Sequence, residues 1–86
     1  MISAEISFYP LGEKDYRDII NLFIDEINKS GLKFSVNHMS TVIIGKDDEI
    51  FDFLKITFKK FSKDYKCIMK ATFSNSCSID WNFLKI

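Results

Sequence analysis

Ser74, Asn75, Ser76, Cys77 and Ser78 form an unbroken run of small polar side chains in a chain that carries nine Phe. Each hydroxyl supplies one donor and two acceptor lone pairs, and the carboxamide supplies both kinds of group, so the run has the chemistry to line a polar ligand. It also has the chemistry of a strand exit, because Ser and Asn side chains hydrogen-bond nearby backbone and favour turns. His38 is the one histidine, suited to a ligand, a metal or its own backbone. No second histidine exists and no carboxylate stands at metal-ligand spacing beside it, so no metal site is expected. Cys67 and Cys77 lack C-x-x-C spacing and read as reduced thiols, and no general base neighbours Cys77, which leaves a catalytic thiol unsupported. Gly12 and Arg17 in LGEKDYR are residue types that phosphate loops use, but one glycine is too few for a backbone nest around phosphate. Acyl-phosphate hydrolysis is therefore not expected, and no cofactor is implied.

These groups sit in a chain of 86 residues with 12 basic and 12 acidic side chains and a formal net charge of zero. Phosphate backbones are bound by clustered positive charge, so nucleic acid is not an expected partner. The strand-like TVII also lacks the exposed aromatics on which single-stranded bases stack. MISAEISFYP has neither a basic flank nor a continuous apolar segment, and no apolar run approaches the roughly 18 residues of a membrane span. The chain is expected to be cytoplasmic and away from membranes. With 47% hydrophobic and 28% charged residues it can bury one core, whose stability margin at this length is on the order of a few kcal/mol. Self-association is a common remedy for so small a core.

The elements that must hold the polar groups follow from periodicity. Ile2, Ala4, Ile6 and Phe8 alternate with Ser3, Glu5, Ser7 and Tyr9, which predicts a half-buried strand ended by Pro10 and Gly12. Asp15 and Asp18 suit a helix start, and Tyr16, Ile19, Ile20, Phe23, Ile24 and Ile27 then lie along one helical stripe that ends at Gly31. Leu32, Phe34 and Val36 predict a second strand, Asn37–Ser40 a turn, and Thr41–Ile44 a third strand. Gly45 closes it, and Asp47 or Asp48 is placed to cap a helix whose stripe is Ile50, Phe51, Leu54, Phe58 and Phe61. A fourth strand, about Tyr65 to Ser74, sets Cys67, Met69, Ala71 and Phe73 against Ile68, Lys70, Thr72 and Ser74.

The order β-α-β-β-α-β is that of an α+β, ferredoxin-like split βαβ fold, a four-stranded antiparallel sheet with both helices on one face. The other face is left open, and alternation places Ser3, Glu5, Ser7, Tyr9, Ser35, Asn37, Lys70, Thr72 and Ser74 on it. Four serines there are unusual, since Ser has weak strand propensity, but short hydroxyls let a ligand or a second sheet approach the backbone. The domain is expected to span residues 1–78. The tail IDWNFLKI, residues 79–86, is expected to pack on the domain or on a partner chain, because exposed Trp81 and Phe83 would form an aggregation-prone patch.

Three stretches now carry a resemblance: SAEISFYPLGEKDY, SGLKF with VNHMST and the following Gly45, and ATFSNSC. Their order and spacing resemble a single domain of the YkoF-like thiamin- and hydroxymethylpyrimidine-binding proteins, over about residues 3–78. The resemblance implies a ferredoxin-like domain that binds thiamin or its pyrimidine precursor without catalysis. The name-giving members carry two such domains in tandem, so a single-domain chain implies pairing as a homodimer or homotetramer. Carried over through the matching motifs, the ligand-binding candidates are Ser3, Glu5, Ser7, His38, Met39, Ser40, Thr41, Ser74, Asn75, Ser76 and Cys77.

The chemistry of these residues is compatible with such a ligand. An aminopyrimidine offers an exocyclic donor and ring-nitrogen acceptors, which Asn75 or a pair of hydroxyls can match. The cationic thiazolium suits Glu5 or the face of Tyr9 or Trp81, a ring contact contributing on the order of 1 kcal/mol. Phosphate esters gain little, because Arg17 is the one arginine. The expected function is binding of thiamin or hydroxymethylpyrimidine in cytoplasmic transport or salvage. The alternative is a regulatory or assembly domain that pairs through its open sheet face and holds no small molecule.

Overall fold

Alternation along the first strand builds β1 (Ile2–Pro10), with Ala4, Ile6 and Phe8 buried on one side. The structure, a computed structural model, describes residues 1–76. After β1 come α1 (Tyr16–Ser30), β2 (Lys33–Val36), β3 (Thr41–Gly45), α2 (Asp47–Ser62) and β4 (Cys67–Ser74). The sheet order is β2-β3-β1-β4 with every neighbouring pair antiparallel, so the fold is the ferredoxin-like α+β arrangement expected from the sequence. β1 lies inside the sheet, and its register sets the rest. Ile6 stands opposite Thr41 on one side and Ala71 on the other, and Ser3 stands opposite Ile44 and Ser74.

The helices are joined to β1 by aromatic rings. Phe8 stacks on Phe23 of α1 at 4.6 Å between centroids, and Phe61 of α2 meets both edge-on at 5.3 and 6.0 Å. Offset-stacked and edge-to-face rings add about 0.5–1.5 kcal/mol beyond the area they bury. α1 buries Ile19, Phe23 and Ile27 at helical spacing and ends where Gly31 takes φ 79, the left-handed geometry that glycine adopts without penalty. α2 buries Ile50, Leu54, Thr57 and Phe61. Gly45 leaves room for this packing, since a Cβ there would lie 2.8 Å from Leu32 Cδ2 and 3.5 Å from Ile50 Cδ1.

The helical stripes differ from the sequence expectation at three aromatic residues. Tyr16 is exposed at the first position of α1, with the Arg17 guanidinium 5.9 Å from its ring centroid. Phe51 and Phe58 are also exposed. Each sits one residue beyond a buried position, Ile50 or Thr57, and a turn of about 100° per residue swings it off the core face. Phe51 turns toward the sheet margin, where its ring lies 4.8 Å from Phe73 of β4. Neither aspartate caps α2 as expected. The cap position is Lys46, and Asp47 Oδ1 accepts from the backbone N–H of Asp48.

Candidate functional site

The hairpin between β2 and β3 is closed by the Asn37 N–H, which donates to the Ser40 carbonyl at 2.8 Å. Between this hairpin, the end of the sheet and α1 lies a cavity of about 290 Å³. Ile6 and Phe8 of β1, with Ile20, Phe23 and Ile24 of α1, give it an apolar wall. Its polar lining comes from Ser7, Asn37, His38 and Ser40 at the exposed edge and from the buried Thr41. Convergence of a few polar groups on an apolar hollow is the usual form of a small-molecule site, and the volume sits at the lower end of the roughly 300–1,000 Å³ such sites span. No Lys, Arg, Asp or Glu lines it. A second cavity of about 300 Å³ lies at the other end of the hairpin strands, beside Leu32, Lys33, Ile44, Lys46 and Glu49.

The register decides which of the sequence candidates meet. Glu5 and Ser7 stand on the face of β1 away from the helices, and both reach the hairpin. Ser7 Oγ donates to the Met39 carbonyl at 3.2 Å, and Ser40 Oγ donates to Glu5 Oε2 at 3.1 Å. Ser7, His38, Met39, Ser40 and Thr41 are thereby gathered around one cavity. Thr41 is buried on the helix side opposite Ile6, whereas Met39 is 82% exposed and forms an outer lip. Tyr9, which the sequence offered to a cationic ring, also lines the cavity, as do Asn37, Ile20 and Ile24, which the motifs did not single out as site residues. The signal for Ile20 and Ile24 was available in the α1 stripe, since both lie one residue past a fully buried position.

The strand exit lies elsewhere. Ser74 pairs with Ser3, four residues along β1 from Ser7, a separation of about 13 Å at the usual rise per residue. Ser3 is only 8% exposed although it faces away from the helices, because its short side chain lies between Ile44 and Ser74 on the flanking strands. Ser74 Oγ accepts from the Ser76 N–H at 3.2 Å, so the exit forms a local serine turn. Within one chain, then, the exit and the hairpin do not converge. Cys77 and the apolar tail at 79–86 lie outside the described residues.

The open sheet face is less polar than the serine count suggested. Pairing puts Val42 and Ile44 of β3 and Ile68 of β4 on the same side as Ser3, Glu5, Ser7 and Tyr9. Cys67 is partly buried on the opposite side, and burial pushes its thiol pKa up, away from a reactive thiolate. Among the described residues no three His, Cys, Asp or Glu groups come close enough to hold a metal ion. No helix among the described residues is long and apolar enough to cross a membrane.

Similarity to known proteins agrees with this geometry. The fold matches a Streptococcus pneumoniae protein with a TM-score of 0.84 at 20% identity, covering 98% of each chain. It matches a Thermotoga maritima protein, named as a candidate thiamine biosynthesis/salvage protein, with a TM-score of 0.80 at 19% identity, covering 87% of this chain and 83% of that one. A hypothetical protein of Methanocaldococcus jannascii matches with a TM-score of 0.79 at 25% identity, covering 92% of this chain and 84% of that one. No curated protein matches the chain. A sequence model of the YKOF-related family matches residues 1–80, and with nearly the whole length covered the chain belongs to that family.

Proposed function

We propose that the protein binds thiamin or its hydroxymethylpyrimidine moiety without converting it, as a module of cytoplasmic thiamin transport or salvage. The observation that carries this reading is the hairpin cavity, a small apolar hollow with hydroxyl, amide and imidazole groups at its mouth. A flat heterocycle buries its faces against Phe8 and Phe23 and meets polar partners at its edge. Family membership and the name of the similar Thermotoga maritima protein support it. Phosphate esters are poor ligands in this reading, because no cationic Lys or Arg lines the cavity.

Ser3, Ser74, Asn75 and Ser76 belong to the proposed site through a second copy of the chain. Two open sheet faces stacked with their strands reversed bring the exit of one copy over the hairpin of the other, which makes a homodimer, or a homotetramer of two such pairs, the proposed functional unit. The apolar Ile68, Val42 and Ile44 on that face favour such a stack. They also support a second reading, an assembly domain that pairs through this face and holds no small molecule.

Calorimetric titration with thiamin, hydroxymethylpyrimidine and thiamin diphosphate separates the two. Heat is expected with the first two ligands and little with the diphosphate. Val36→Phe, at an exposed position on the cavity wall, is expected to weaken binding roughly tenfold or more by filling the space. No heat with either unphosphorylated ligand leaves the assembly reading standing.

A further inference from the structure

We infer that Ser7 and Ser40 offer the hairpin cavity hydrogen-bond acceptors only, so that at these two positions the cavity selects ligands that donate an N–H or O–H group. The inference rests on the binding reading above and specifies the polarity of its ligand. Both serines line the cavity. A hydroxyl carries one proton and two lone pairs. Ser7 Oγ lies 3.2 Å from the Met39 carbonyl oxygen, and Ser40 Oγ lies 3.1 Å from Glu5 Oε2. Neither a carbonyl nor a carboxylate oxygen has a proton to give, so the direction of both bonds is fixed and each serine is the donor. With its one proton engaged inside the protein, each serine turns lone pairs alone to whatever enters.

Strand register makes this arrangement possible. Glu5 and Ser7 are two residues apart on β1 and so share the open face, while the turn closed by Asn37 and Ser40 brings the hairpin within their reach. Glu5 itself does not line the cavity. It acts through Ser40 as a positioning residue, and the Met39 carbonyl plays the same part for Ser7. An aromatic amine entering the mouth finds two acceptors already oriented. A group of similar size that can only accept meets lone pairs and leaves the acceptor sites of both serines without a donor.

The test uses the full chain and two probes, hydroxymethylpyrimidine and the same ring with a methoxy group in place of its amino group. Wild type is expected to bind the amino ring at least about tenfold more tightly by calorimetry, the order expected when acceptors that the bound ring shields from water lose their donor. Glu5→Ala releases the Ser40 proton toward the ligand, so the preference is expected to narrow to about threefold or less. Glu5→Gln keeps an accepting amide oxygen and is expected to restore it. A wild-type preference retained in Glu5→Ala, or equal binding of both rings by wild type, overturns the inference.

If wild type binds neither ring, the thiamin reading fails, and the hydroxyl assignment is decided without ligand. Hydrogen exchange at the Met39, Ser40 and Thr41 amides is then expected to accelerate several-fold in Glu5→Ala and to return toward wild type in Glu5→Gln. Unchanged exchange in Glu5→Ala overturns it.

Discussion

Ile43 has no exposed surface and stands opposite Ala4 and Phe34, with a strand on each side. Removing one methylene there leaves a void that the flanking strands cannot close, so Ile43→Val is expected to lower the unfolding free energy by about 1 kcal/mol in urea titrations. A loss below the experimental error would mean that the sheet centre is looser than its packing indicates. Ser3 shows how a neighbourhood overrides residue type, because a small polar side chain on the open face becomes buried by the longer Ile44 beside it. Alternation placed Ser3, Glu5 and Ser7 on one face correctly. What each of them touches was not legible, since the hydrogen-bond partners Met39 and Ser40 lie 32 and 35 residues away in sequence.

At the scale of elements, α1 depends on Gly31 for its ending. Its φ of 79 is costly for any residue with a Cβ, and although open space surrounds the position, Gly31→Ala is expected to destabilise the fold by about 1 kcal/mol. A melting temperature unchanged from wild type would show that the helix end relaxes elsewhere. The two helices are also joined by the Glu26–Lys60 ion pair. The Lys60 hydrogen bond holds the Glu26 carboxyl below its ordinary value near 4.5, with burial opposing in part. A carboxyl whose pKa is lowered by folding adds stability above its unfolded value and loses it as pH falls through its folded value. Glu26→Gln is therefore expected to be less stable than wild type at neutral pH, with the two converging as pH falls through the lowered pKa of Glu26. Lys60 is largely exposed, so the difference should stay under about 1 kcal/mol. A gap that persists in acid strong enough to protonate every carboxylate would point to packing rather than charge.

Both helices were legible in the sequence because a 3.6-residue period needs only local information. Their flanks were not. Phe51 and Phe58 read as part of the α2 stripe, and only the seating of that helix on the sheet leaves both exposed, Phe51 beside Phe73 at the sheet margin. The hairpin cavity was hidden for the same reason, because its α1 wall and its β2–β3 mouth are brought together by the crossover rather than by any short motif.

For the whole molecule, Tyr9 and Ile68 on the open sheet face and the Phe51–Phe73 margin are apolar surface that a single chain of described residues leaves in water. Patches of this kind mark association surfaces. Truncation after Ser76 removes Trp81, Phe83, Leu84 and Ile86, and it is expected to lower the assembly mass in sedimentation or the melting temperature. If both stay the same, the tail takes no part in packing or pairing. The amino-acid order by itself determined the β-α-β-β-α-β succession, the two faces of β1, β2 and β4, and the family, all of which follow from local periods and short spaced motifs. Only the folded chain decided that the hairpin borders a cavity. Which ends of strands become neighbours depends on register and crossover, and those are fixed by the packing of the entire core.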